Sequence, residues 1–120
     1  MQRATVMGRS MIEGFERHAL VIVNLVNPKE KFFGPLLSLS PAGVTMRGIN
    51  LDSFDDWIRQ LARAEELNID LIMMFIPLFR VERIFLDEAQ GAIPSYSQRF
   101  GEVVGTSLQK HLGLEAQAAG

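Results

Sequence analysis

The sequence contains no cysteine. Disulfides, thiolate metal sites and thiol nucleophiles are excluded together, while the redox compartment is left open. There are only two histidines, His18 and His111. They lie near opposite ends of the chain without a ligand-spaced partner, so a zinc site of about four ligands is not expected. No long apolar run is present either: the longest, Leu71 to Phe79, holds nine residues including Pro77, against about 20 for a membrane-spanning helix. The apolar segment that ends at Val26 is followed by Asn27-Pro28-Lys29 and not by a small-residue cleavage site, so no signal peptide is expected. Basic charge is not in excess, with 12 Lys and Arg against 14 Asp and Glu. That balance excludes a chain-wide nucleic-acid clamp but leaves room for a local basic face. No glycine pattern matches a phosphate loop, and no serine stands in a nucleophile-elbow context. Neither an enzyme nor a cofactor, metal or small-molecule substrate is expected, and the chain is expected to be soluble and cytoplasmic.

What the sequence does hold is the composition of one folded domain, with 48% hydrophobic and 22% charged residues over 120 positions. Residues 1–17 are polar and mixed, and read as an arm or a short helix. From Ala19 to Val26 the β-branched density rises, which suits a strand. Asn27-Pro28-Lys29-Glu30 supplies a turn, since Pro28 fixes φ and has no N–H to give a ladder. Lys31 to Leu39 resumes an extended pattern, with Gly34 marking a sharp bend. Ser40-Pro41-Ala42-Gly43 turns the chain again, and Val44 to Ile49 alternates with period two.

Asp52 to Asp56 opens a helix. Ser53 is the expected N-cap, and Phe54, Trp57, Ile58 and Leu61 recur at helical spacing over residues 53–66. Leu71 to Ile76 is an unbroken apolar strand with no solvated alternation, so something must cover both its faces. Phe79 to Leu86 is the last strand. A C-terminal helix is expected over 95–112, with Phe100, Val103, Val104, Leu108 and Leu112 at helical spacing and Gly101 and Gly105 weakening it.

Val23-x-Leu25, Gly34-x-Leu36, Ser38-Leu39 and the turn into Val44 resemble the first motif of the Sm-like proteins (the LSm and Hfq type). The resemblance covers about residues 18–88. It implies a small five-stranded bent SH3-like barrel, with Gly34 at the bend of the second strand; the helix Phe54 to Glu66 is then inserted between strands three and four, where the family has a variable loop. It also implies a homo-oligomeric ring, closed by pairing the fourth strand of one subunit with the fifth of the next. Leu71, Ile72, Met74, Phe75, Ile76, Ile84 and Leu86 are the interface residues expected on that basis. The chain departs from the family at Ser40 and Val44, near where an RNA-contacting Asp and Asn are usual. It departs again at Ile76-Pro77-Leu78-Phe79-Arg80, where an Arg-Gly or Tyr-Lys-His type of loop is usual.

Two functions of different class follow. One is binding of single-stranded RNA through Arg47, Arg80, Arg83, Phe79 and Lys31, because Arg offers forked donors to phosphate and aromatic faces stack on bases. Lys29, Phe32 and Phe33 are further candidates. Against this, Arg80, Glu82 and Arg83 suit cross-strand ion pairs, and the phenylalanines suit core or interface. The other function is a non-catalytic oligomeric protein-interaction or assembly module. The acidic group Asp52, Asp55 and Asp56 is expected to serve the helix N-terminus and not a cation.

Overall fold

The computed structural model describes residues 5–6, 9–12 and 14–114. The expected arm at residues 1–17 lies partly outside these. Its described part forms three short antiparallel strands, β1 (Thr5–Val6), β2 (Arg9–Ile12) and β3 (Phe15–Glu16). Five strands then build the main sheet: β4 (Leu20–Leu25), β5 (Glu30–Leu39), β6 (Gly43–Asn50), β7 (Ile72–Pro77) and β8 (Val81–Leu86). Their order is β7-β6-β5-β4-β8, antiparallel throughout. Three helices, α1 (Phe54–Ala62), α2 (Tyr96–Val104) and α3 (Leu108–His111), complete a mainly-β fold. The sheet does not close into a barrel: β7 and β8 are its two ends.

The described residues fall into two compact units, one within Met1–Leu51 and Leu71–Leu86 and the other within Asp52–Asp70 and Asp87–Gly120. In the first, alternation along the strands sends Val21, Val23, Leu25, Leu36, Val44, Met46 and Ile76 into one buried cluster. Burying each such side chain stabilises the unit by roughly 1.5–3 kcal/mol. On the opposite face Ile22, Phe33 and Ile49 form a single register row across β4, β5 and β6, and all three are buried. At Gly34 β5 and β6 approach closely: a Cβ built there would fall 1.8 Å from the Arg47 carbonyl oxygen. The β6 hairpin turn is tied by Ser40, whose Oγ accepts from the Ala42 and Gly43 amides at 3.2 and 3.3 Å.

The second unit is built on aromatic contact. Phe54 meets Trp57 and Tyr96 edge-on, at ring-centre distances of 5.9 and 5.2 Å, and Trp57 lies 5.3 Å from Phe100. The Arg99 guanidinium stacks over Phe54 and Tyr96 and also pairs with Asp55. At the start of α2, Ser95 Oγ accepts from the Gln98 amide and Gln98 Oε1 accepts from the Ser95 amide, a complete capping box. The Asp87 carboxylate adds three acceptor contacts, from the Tyr96 and Ser97 amides and the Ser97 hydroxyl.

Several element boundaries differ from the sequence expectation, each for a local reason. Helix α1 ends at Ala62 and not Glu66, because Ala64 takes a left-handed φ of 54° that no helix continues through. Ser53 holds the N-cap position of α1, but its side chain makes no capping bond. The helix expected over 95–112 is two helices. Gly105 caps α2 in the left-handed region (φ 90°), and Ser107 restarts the chain as the N-cap of α3. The last strand begins at Val81, since Leu78–Arg80 is a 3-10 turn.

Candidate functional site

The structure separates the five residues expected to contact RNA. Arg80 is committed to the fold. Its Nε donates to the Val26 carbonyl at 2.9 Å, and its Nη2 donates to the Pro28 carbonyl at 2.8 Å and to the Glu30 carboxylate at 3.0 Å. The guanidinium fork thus clamps the β4–β5 turn. The ion-pair alternative holds for Arg80, with Glu30 in place of Glu82 as the partner.

Lys31 and Arg83 are brought together. Both pair in register with Asn24, Lys31 from β5 and Arg83 from β8. Cross-strand partners share a face and neighbouring strands lie about 4.8 Å apart, so the two cations flank Asn24 across roughly 10 Å. Lys31 and Arg83 are exposed, and the nearest acid to Arg83 is Glu82 at 3.9 Å. Asn24 Oδ1 is buried with no hydrogen-bond partner. Arg47 shares this face but lies beyond the buried row of Ile22, Phe33 and Ile49. It is four positions along the strands from the Lys31 row, roughly 13 Å away at the rise of a β-strand. Phe79, on the 3-10 turn, is 84% exposed.

The residues expected at an interface divide in two. Leu71 and Ile76 are buried within the chain, and Met74 and Ile84 are half-buried against the core cluster. Ile72 and Phe75 are 63% and 55% exposed, and Leu86 is 42% exposed. On β7, β8 and the turn between them, three exposed apolar residues escaped the expectation: Met73 at 61%, and Leu78 and Phe85 less so. β7 therefore places Met73 and Phe75 on the outer face, facing Arg47 and Thr45 of β6, while Met74 and Ile76 turn to the core. Ile72 shares the parity of Met74 and Ile76, so β7 exposes Met73 and Phe75 on one face and Ile72 on the other, and Leu78 and Phe79 are exposed in the turn after it. Exposed apolar side chains grouped on one strand mark a candidate interaction surface.

Two further features complete the chemistry. Among the described residues no group of His, Asp or Glu is arranged to hold a metal ion, and Asp56 pairs with Arg59 as Asp55 does with Arg99. His18 sits in the turn before β4 with a φ of 71°, its amide donating to the Leu36 carbonyl at 2.8 Å. Burial, and secondarily the charge of Arg17, hold its pKa below the ordinary 6.5. Among the described residues no helix is long and apolar enough to cross a membrane. Comparison with protein-family models, with curated proteins and with solved structures finds no match to this chain.

Proposed function

We propose that this chain is a non-catalytic assembly module that self-associates through the free edge of its five-stranded sheet. The observation that carries this reading is the exposure of Ile72, Met73 and Phe75 on a strand that, among the described residues, has a neighbour on one side only. An edge of that kind offers unpaired N–H and C=O groups beside apolar side chains, and both are satisfied by another strand. The finer form of the reading is an Sm-like assembly, as the resemblance over residues 18–88 implies. Its support is the strand order, in which the fourth and fifth strands of the sheet lie at opposite ends.

A second reading, binding of single-stranded RNA, is favoured by the row Lys31–Asn24–Arg83. Two exposed cations lie in register on either side of Asn24, an arrangement that suits a phosphate backbone. Arg80, with its donors occupied, does not belong to that site.

One experiment addresses both. The mass in solution is measured by light scattering, and the same sample is titrated with labelled oligo-A and oligo-U at low and moderate salt. The assembly reading expects a multiple of the 13.4 kDa chain mass, and a monomer at tens of micromolar overturns it. The RNA reading expects salt-sensitive binding that is lost in a Lys31→Ala, Arg83→Ala double variant. No binding at low salt removes that reading.

A further inference from the structure

The two open edges of the main sheet differ in what guards them. β8 carries Glu82 and Arg83, and its pairing with β4 shifts register between Asn24 and Leu25. Charges and bulges are the devices by which edge strands are kept from pairing with other chains. β7, with the sequence Ile-Met-Met-Phe-Ile-Pro, has no charged residue and pairs with β6 through six consecutive positions without a register break. Pro77, at its last position, is the one residue there without an N–H to offer. β7 is an unguarded edge and β8 a guarded one.

From this difference we propose that β7 pairs antiparallel with β7 of a second copy of this chain, joining two five-stranded sheets into one. The inference rests on the assembly reading, names its partner and its edge, and departs from the Sm-like ring, in which β7 of one copy would pair with β8 of the next. A two-fold axis centred on Met74 sets Met73 of each copy opposite Phe75 of the other, and Ile72 opposite Ile76. This register keeps Met73 and Phe75 on the outer face and leaves the core-facing set on its own side, as the period-two rule demands. The strand is self-complementary, which a two-fold interface requires, and an uncharged strand sets no like charges against each other. Head-to-tail pairing of β7 with β8 would instead lay Glu82 and Arg83 beside Met and Phe side chains and desolvate both charges.

Ile72, Met73 and Phe75 are each more than half exposed, so pairing at this edge covers apolar surface on both faces of the strand in addition to satisfying its backbone groups.

The test compares the two edges. Light scattering and sedimentation on the full chain are expected to give a dimer. Met73→Lys and Phe75→Lys, each at an exposed position and each present twice in a symmetric interface, are expected to raise the dimer Kd on the order of 100-fold or more. Phe85→Lys on β8 is expected to change it by less than about 3-fold. Amide hydrogen exchange on the unaltered chain supplies a check that needs no variant: β7 amides should slow as protein concentration rises through the Kd, while β8 amides do not. A ring of five or more copies, or equal sensitivity of β7 and β8 to the lysine substitutions, overturns β7–β7 pairing and leaves the assembly reading standing. A folded monomer overturns both.

Discussion

Gly34→Ala tests how closely β5 and β6 are packed. The added carbon would lie 1.8 Å from the Arg47 carbonyl oxygen and 2.9 Å from its carbonyl carbon. Carbon–oxygen contacts between strands settle near about 3.3–3.6 Å, so the two backbones would have to part by roughly 1.5 Å. The φ of Gly34 is 158°, a conformation that residues with a side chain rarely adopt, so the dihedral adds to the cost of space. Overpacking of a movable side chain typically costs about 1–3 kcal/mol. Here the obstacle is backbone, and the neighbouring ladder bonds weaken as it moves, at roughly 1 kcal/mol each. The expected loss is about 3–5 kcal/mol, a large share of the roughly 5–15 kcal/mol that holds a domain together. Gly43→Ala is expected to cost a similar amount, since its Cβ would meet the Ile76 carbonyl oxygen at 2.2 Å. Gly48→Ala should cost about 1 kcal/mol or less, because its nearest neighbours are the Met46 and Met74 methyl carbons at 3.2 and 3.4 Å, and thioether chains move easily. Urea denaturation of the three variants followed by circular dichroism gives the ranking. A Gly34→Ala protein within about 1 kcal/mol of the parent, or one no worse than Gly48→Ala, refutes the close approach of β5 and β6.

Arg80→Ala removes three donations to the β4–β5 turn and should destabilise the protein by about 2–3 kcal/mol in the same urea assay. Arg80→Lys, which keeps the charge but not the fork, should recover less than half of that loss. His18 gives a pH dependence of defined sign. Its pKa is lowered in the fold, so the unfolded chain takes the proton more readily. Stability is therefore full above the ordinary 6.5, declines as pH falls through that value, and levels off below the folded pKa. His18→Asn, whose side chain tolerates the left-handed φ of 71°, should flatten that part of a thermal-melting series between about pH 5 and 8.

The strands were legible because their signals are local. β-branched density at Leu20 to Leu25 and period-two alternation at Val44 to Ile49 each need only a few consecutive residues. Gly34 stood out as a special position in β5 for the same reason, and the structure supplies a cause for glycine there, the close approach of the Arg47 carbonyl on the next strand. Helix ends were less legible. That Ala64 adopts a left-handed conformation is not written in the Arg63-Ala64-Glu65 sequence, since alanine is the best of helix formers. Gly105 carries two signals: inside one helix it is a weak point, and after an apolar helical run it equally marks the end of one.

The candidate site was legible only as residue types, because its arrangement depends on pairing across the chain. Arg80 and Arg83 are three positions apart and equally basic. Yet Arg80 reaches back to carbonyls at Val26 and Pro28, and Arg83 lands beside Asn24. Nothing within β8 distinguishes them. Asn24 left a trace, as the one polar residue inside the apolar stretch Leu20–Val26, but its importance appears only when Lys31 and Arg83 fall on either side of it. The Leu71–Ile76 run shows the same limit from the other direction. An unbroken apolar strand is what the centre of a sheet requires, and it is equally what a free edge shows when a second chain is meant to complete it. Strand order separates these cases, and it places β7 at the end. The lack of any charge on β7 then acquires a meaning it does not have in the sequence. A central strand without charge is ordinary, whereas an open edge without charge, beside a second open edge that carries Glu82 and Arg83, is an edge with its place for another strand left unblocked.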